Sequence, residues 1–321
     1  MISFGAIARR VNAPMTNPLR VFLFAGGYLL IAAASARAGT FDLPEEARPP
    51  SPERVRVSAD KLISAGGITE IEGAAGGGIV PWALIAGGGT DERVGASASY
   101  TNVSLNDYKL DSAGAALGFY DRLEISFAQQ AFQLTGSVAP GNTIKQQIVG
   151  AKIRLWGDAI FAQDGVLPQI AAGTQYKRNQ DFGFVSKAVG ARGDSGTDFY
   201  VSATKLYFGA LAGRNLLLNA TVRGTRANQA GLLGFGGDRN NGYKACFEGS
   251  AAVFLNDQTA VGGEYRTMPD NLGASKQDDW RDAFVAYFPN KSLALTVAYA
   301  MLGHIVGKDQ SGLYLSVQAS Y

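Results

Sequence analysis

Cysteine and histidine are almost missing, with one of each in 321 residues. The lone Cys246 forbids an intrachain disulfide and, at strand spacing, reads as a packed small residue. The lone His304 leaves hydrolytic chemistry short of partners, because general-base catalysis near neutral pH needs a histidine beside a serine or an acid. With so few His and Cys, metal ligation has no cluster to draw on, and Asp278-Asp279 reads as a solvated turn. No catalytic residue, cofactor or metal site is therefore expected, and the chain is not read as an enzyme. Charge is sparse as well, at 17% of residues, and long apolar runs are confined to one N-terminal stretch. A helical membrane protein needs repeated runs of about 20 apolar residues, so that class is excluded.

The N-terminal stretch is Val21 to Ala34, preceded by Arg9, Arg10 and Arg20 and followed by Ala36-Arg37-Ala38. A basic start, a short apolar core and an A-x-A site describe an export signal, with cleavage expected near Ala38-Gly39. The whole chain carries 29 basic and 27 acidic residues, a net charge of +2. Residues 1–38 hold four arginines and no acid, so the mature charge becomes 25 − 27 = −2. The basicity belongs to the signal, and no nucleic-acid partner is expected.

Glycine and tyrosine are abundant: 41 and 13 residues, at a mean hydropathy of +0.01. Alternating strands give this balance, because each apolar residue has a polar neighbour. Residues 39–65 carry Pro44, Pro49, Pro50 and Pro52 among charges and read as an irregular leader, with a helical turn near Ser58–Ile63. From Gly66 to Thr90, nine of twenty-five residues are glycine. No Lys-Ser/Thr follows these glycines and no strand–helix context surrounds them, so phosphate-loop and dinucleotide readings fail.

Beyond Arg93, blocks of alternating polarity predict strands near 93–102, 108–120, 122–134, 144–156, 168–178, 197–208, 216–226, 244–255, 259–268, 280–288, 293–302 and 312–321. In the eleventh, Leu293, Leu295, Val297, Tyr299 and Met301 oppose Ala294, Thr296, Ala298 and Ala300. In the seventh, Leu216, Leu218, Ala220 and Val222 oppose Leu217, Asn219, Thr221 and Arg223. The second and tenth show no clear faces. Hydrocarbon cannot satisfy backbone N–H or C=O groups, so such strands must close on themselves. The fold class is all-β, a transmembrane antiparallel β-barrel of about 12 strands with a Gly-rich plug segment. The expected domains are the signal at 1–38, the periplasmic leader and plug at 39–91 and the barrel at 92–321. Tyr100, Tyr120, Phe208, Tyr287 and Phe288, near strand ends, are expected in interfacial girdles.

Connections after even-numbered strands are mostly short, and those after the fifth, seventh and ninth are long and polar. Short periplasmic turns and long outer loops follow this pattern, with Gly157–Leu167 longer than its side predicts. The last strand alternates through Leu313, Leu315, Val317 and Ala319 to an aromatic Tyr321, resembling the ending recognised by the outer-membrane assembly machinery. The expected partners are thus the lipid bilayer with its lipopolysaccharide, that machinery and an unidentified small-molecule solute.

Charged residues on inward faces are Arg93, Glu124, Lys152, Arg154, Arg223, Glu248, Glu264 and Arg266. Arginine or lysine facing lipid costs about 2–4 kcal/mol at the midplane, so these should point inward. They either line a polar path or form an interior salt-bridge network, and interior polarity alone predicts the second. Gly76, Gly77, Gly78, Pro81 and Trp82 are the candidates for a plug or constriction; the competing reading is a loose periplasmic linker. The functional expectation is an outer-membrane channel or solute-uptake barrel for small polar or amphipathic molecules. A non-conducting structural or surface barrel is the alternative, with a lipid-modifying enzyme behind it.

Three stretches resemble a bacterial family known as domain of unknown function number thirty thirty-four. They are Ile71-Glu-Gly-Ala-Ala-Gly-Gly-Gly-Ile-Val-Pro-Trp-Ala83, Leu117-Gly-Phe-Tyr-Asp-Arg-Leu-Glu-Ile-Ser-Phe-Ala128 and Gly312-Leu-Tyr-Leu-Ser-Val-Gln318. The resemblance implies an outer-membrane barrel and brings no activity or ligand with it.

Overall fold

Alternation of side chains along each strand builds one closed sheet. A computed structural model describes residues 67–87, 91–136, 139–163 and 165–321. The export signal, the leader and the helical turn near Ser58–Ile63 lie outside the described residues.

Twelve strands close the barrel: β1 (Val94–Leu105), β2 (Tyr108–Phe119), β3 (Leu123–Leu134), β4 (Thr143–Trp156), β5 (Gln169–Asn179) and β6 (Ser195–Leu211). They continue as β7 (Arg214–Thr225), β8 (Lys244–Asn256), β9 (Thr259–Arg266), β10 (Trp280–Asn290), β11 (Leu293–Ile305) and β12 (Lys308–Ser320). Each strand pairs antiparallel with its sequence neighbours, and β12 closes on β1 from Gly312↔Leu105 to Ser320↔Ser97. Closure leaves no open edge, which is what a sheet surrounded by hydrocarbon requires.

The faces follow the alternation. On β11, Leu295, Val297, Tyr299 and Met301 are exposed on the outside while Ala294, Thr296, Ala298 and Ala300 are buried within. On β7, Leu218 and Val222 face out and Leu217, Asn219, Thr221 and Arg223 face in. Leu313, Leu315, Val317 and Tyr321 continue the apolar exterior on β12. Tyr100, Tyr120, Phe208 and Tyr287 are exposed as girdle residues should be, but Phe288 is buried inside the barrel. The tenth strand, whose faces the sequence left open, sends Trp280, Phe284 and Phe288 inward and Val285 and Tyr287 outward. Its inner face is mostly apolar because it packs on protein rather than water, with Asp282 the inward acid.

One end of the barrel, the turn end, carries the start of β1 and the end of β12. One of its tight links is the hairpin Phe119–Arg122, where Tyr120 and Asp121 take φ of 54° and 49° and Arg122 N–H donates to Phe119 O. Two positive φ values match the twist of the flanking strands. The long turn-end link after β4 folds inward, burying Ala159 and Ile160, and Lys205 donates to Asp158 O and Ala162 O across it. That inward fold is the physical reason for its length.

At the other end, the loop end, the connections after β5, β7 and β9 build a cap. A short helix, α1 (Phe184–Ala188), precedes Ala191–Gly193, which pairs with Phe235–Gly237. Val189 and Ala191 pack on Leu272. Residues 227–237 are buried and turn into the barrel rather than out to solvent. Leu232, Leu233 and Phe235 supply the apolar side chains for that turn.

Candidate functional site

Residues 67–87 are buried without exception and occupy the lumen. Thr69 Oγ1 donates to Gln318 at the turn end of β12 (2.8 Å), and Gly87 lies against Gly95 and Ala96 at the start of β1. The segment therefore enters and leaves on the turn-end side. It forms a single two-residue ladder, Ile68–Thr69 with Ala75–Gly76, and no barrel strand.

A segment so poor in side chains must have its backbone satisfied by the wall, since unpaired buried N–H and C=O groups are costly. Ser112 and Gln130 both donate to Ile71 O at 2.7 Å. Thr221 and Ser202 donate to Pro81 O at 2.9 and 3.2 Å. Ala83 N–H donates to Thr204 Oγ1, and Gln169 donates to Ala83 O, each at 2.7 Å. Trp82 Nε1 donates to Ser250 Oγ at 2.9 Å. Inward-facing Ser, Thr and Gln on the strands exist to hold this backbone.

The glycines set how closely it approaches. Gly73 has φ of 98°, and its position lies against the β3 backbone at Phe127. At Gly77 a Cβ would overlap the Glu264 carboxylate, which instead accepts from Ile79 N–H at 2.7 Å and from Ser250 Oγ at 2.6 Å. Only a glycine lets the wall carboxylate reach that turn.

Two ionic clusters pin the segment. Lys152 and Glu124 form a buried ion pair at 3.1 Å. Lys152 donates to Ala75 O and Trp82 O, while Glu124 accepts from Ala75 N–H and Ala86 N–H. One pair thus ties two separated points of the segment to adjacent strands.

The second cluster surrounds Glu72. Its carboxylate meets Lys177 Nζ in a short ion pair, Arg266 Nη1 at 3.0 Å and Arg223 Nη1 at 3.4 Å. Burial alone would raise the Glu72 carboxyl, but Arg266, Lys177 and Arg223 outweigh it and hold the group well below the usual range. Glu70 differs. Burial first and the Glu72 carboxylate second push it up to about 8, and its Oε2 has no hydrogen-bond partner. Gln175 donates to its other oxygen at 2.6 Å, and Arg223 Nη2 lies 4.0 Å from Oε2.

Six of the eight charged candidates, Glu124, Lys152, Arg223, Glu248, Glu264 and Arg266, are buried in the interior, where they grip one another or the lumenal segment. Arg154 is partly buried at the turn end with Asp121, Asp158 and Gly157 O. Arg93 is exposed ahead of β1 and joins neither cluster, because it lies one residue outside the ladder. Gly76, Gly77, Gly78, Pro81 and Trp82 all lie in the lumen. Sequence reasoning did not single out Glu70, Glu72, Lys177, Asp198 or Asp282. For the first two a signal existed: two acids two apart and no base in a glycine segment.

Apolar layers lie on both sides of the clusters. Leu206, Leu217, Phe284 and Phe288 belong to the turn-end half of the wall. On the loop-end side Ile71, Ile79, Phe132, Leu232, Trp280 and Tyr314 enclose an apolar cavity of about 20 Å³. That holds about one water, and an apolar wall offers it no partners.

His304 lies within β11, near its loop end. Its Nδ1 pairs with Asp278 Oδ2 at 2.6 Å, and its side chain is half exposed. Asp279 accepts from Tyr265 O–H and Met268 N–H, so both loop carboxylates are engaged by protein groups. Among the described residues no group of three or more His, Cys, Asp or Glu side chains is placed to hold a metal. Cys246 is buried on β8.

Among solved structures, the KdgM porin is similar at 11% identity, over 70% of this chain and 99% of that one, with a TM-score of 0.45. The outer membrane protein Omp33 of Acinetobacter baumannii is similar at 10% identity, over 72% and 100%, with a TM-score of 0.43. Outer membrane phospholipase A from Escherichia coli is similar at 12% identity, over 70% and 92%, with a TM-score of 0.41. No curated protein matches the sequence. The model of a family described as protein of unknown function, DUF3034, matches residues 65–318, and the chain belongs to that family.

Proposed function

We propose that this protein is an outer-membrane channel for small polar or amphipathic solutes, held closed by residues 67–87. The observation that carries the reading is the way the lumen is filled. A narrow structural barrel fills with the side chains of its own strands. Here a separate segment fills a wider one, and it is held by side-chain contacts to the wall rather than by the barrel ladder. Contacts of that kind are broken without unzipping a strand. With the turn end on the periplasmic side, as short turns there require, the segment enters from the periplasm. Export would follow cleavage near Ala38-Gly39.

The cap at the loop end favours the second reading, a non-conducting barrel, because residues 227–237 block the outer mouth as well. Planar-bilayer recording of the refolded barrel with and without residues 67–87 separates the two. A channel gains conductance on deletion; the absence of current in both forms supports the non-conducting barrel.

A further inference from the structure

The basic residues around Glu72 are held in place by the wall itself. Five consecutive strands each contribute one charge to this cluster, alternating in sign: Lys177 on β5, Asp198 on β6, Arg223 on β7, Glu248 on β8 and Arg266 on β9. Lys177 Nζ lies 2.6 Å from Asp198, which also meets Arg223 Nη1 at 3.3 Å. Glu248 Oε1 takes Arg223 Nε at 2.6 Å and Arg266 Nε at 3.3 Å. Aromatic rings support both guanidinium groups, Tyr200 at 5.2 Å from Arg223 and Trp280 at 5.5 Å from Arg266. The wall thus holds all three cations, and the lumenal segment adds one backbone contact, Arg266 Nη1 donating to Ile79 O at 3.1 Å.

The ladder begins and ends on a base, so three positive charges face two negative ones, 3 − 2 = +1. One more carboxylate balances it. Glu72 is that carboxylate, supplied by the removable segment at the point where Lys177, Arg223 and Arg266 converge, whereas Glu70 of the same segment reaches only Arg223, at 4.0 Å. A buried, preoriented and uncompensated charge is what a binding site for a single anionic group requires.

We propose that Lys177, Arg223 and Arg266 form a binding site for the carboxylate of a transported solute, and that Glu72 occupies it in the closed barrel as a built-in surrogate. This rests on the channel reading for its purpose, although the site has a readout of its own. A carboxylate-bearing solute that takes the site displaces Glu72 and with it the segment's tightest anchor. The solute would therefore be its own key.

The test is chemical replacement of the deleted side chain in the full chain. Glu72→Ala vacates the site, and propionate carries the same carboxylate on a chain of matching size. Calorimetry on refolded protein, with heat-modifiable gel migration confirming the barrel, should show propionate binding Glu72→Ala at least about tenfold more tightly than it binds the wild type. Propionamide should not bind, and Arg266→Gln added to Glu72→Ala should abolish the difference. Should Glu72→Ala not refold, the isosteric Glu72→Gln is used with the same order expected. Equal binding of propionate and propionamide, or equal affinity in wild type and variant, overturns the site. Bilayer current read on the same samples keeps the two proposals apart. Current without selective propionate binding sinks the site and leaves the channel. Binding without current in any variant sinks the channel and leaves the site.

Discussion

The barrel wall and the segment it encloses are built on opposite principles. In the wall, strands pair through continuous backbone ladders, and side chains only choose which face meets lipid. In the enclosed segment, two residue pairs form a ladder, a few tight turns close on themselves, and every tie to the barrel described above runs through side chains. The wall is therefore cooperative, and changing one residue there must be weighed against a whole sheet. The segment hangs on a few named contacts, so single substitutions should release it while the barrel stands.

The largest expected effect is on the Lys152–Glu124 pair. Lys152→Met leaves a buried carboxylate unpaired, a change that typically costs about 3–5 kcal/mol. Here the loss should fall on the segment: protease should cut within 67–87 while gel migration still reports a folded barrel. If barrel and segment melt together, the distinction drawn here fails. Next comes the converse, Val297→Arg, which puts a charge on the lipid face of β11. It should destabilise folding into vesicles by about 2–4 kcal/mol in urea titration and leave protease protection of the segment unchanged.

Gly77→Ala pushes a Cβ into the Glu264 carboxylate. Overpacking of that kind costs about 1–3 kcal/mol, and tryptophan fluorescence from Trp82 should report partial release. The last effect is on pH. Seated, Glu70 stays neutral up to about 8, whereas released it ionises near 4.5. The seated form holds the extra proton between those values, so seating is strongest below that window, weakens as pH rises through it and levels off above it. Open probability should rise across the window, and Glu70→Gln should flatten the profile.

The same contrast governs what could be read from the sequence. Where the outer face meets lipid and the inner face is polar, alternation was plain, and β7, β11 and β12 lie as their residues predicted. It failed on β10, where Trp280, Phe284 and Phe288 face in against protein and erase the polarity contrast. The placing of Phe288 in a girdle failed for that reason. The glycine segment was legible as a plug candidate through its density of glycine, but its acids have no periodicity to give them a partner. Glu72 finds Lys177 and Arg266 from β5 and β9, across the barrel in sequence terms. Lys177 and Asp198 sit beside the long loop after β5, where strand register is hardest to count. The inward turn of residues 227–237 left a trace in Leu232, Leu233 and Phe235, too apolar for an outer loop.

Current through single refolded barrels tests the central claim most directly. At neutral pH the wild-type chain should open only rarely, and the full chain carrying both Lys152→Met and Glu72→Ala should show frequent discrete openings. Steady conductance of equal size in both would mean that residues 67–87 do not close the lumen.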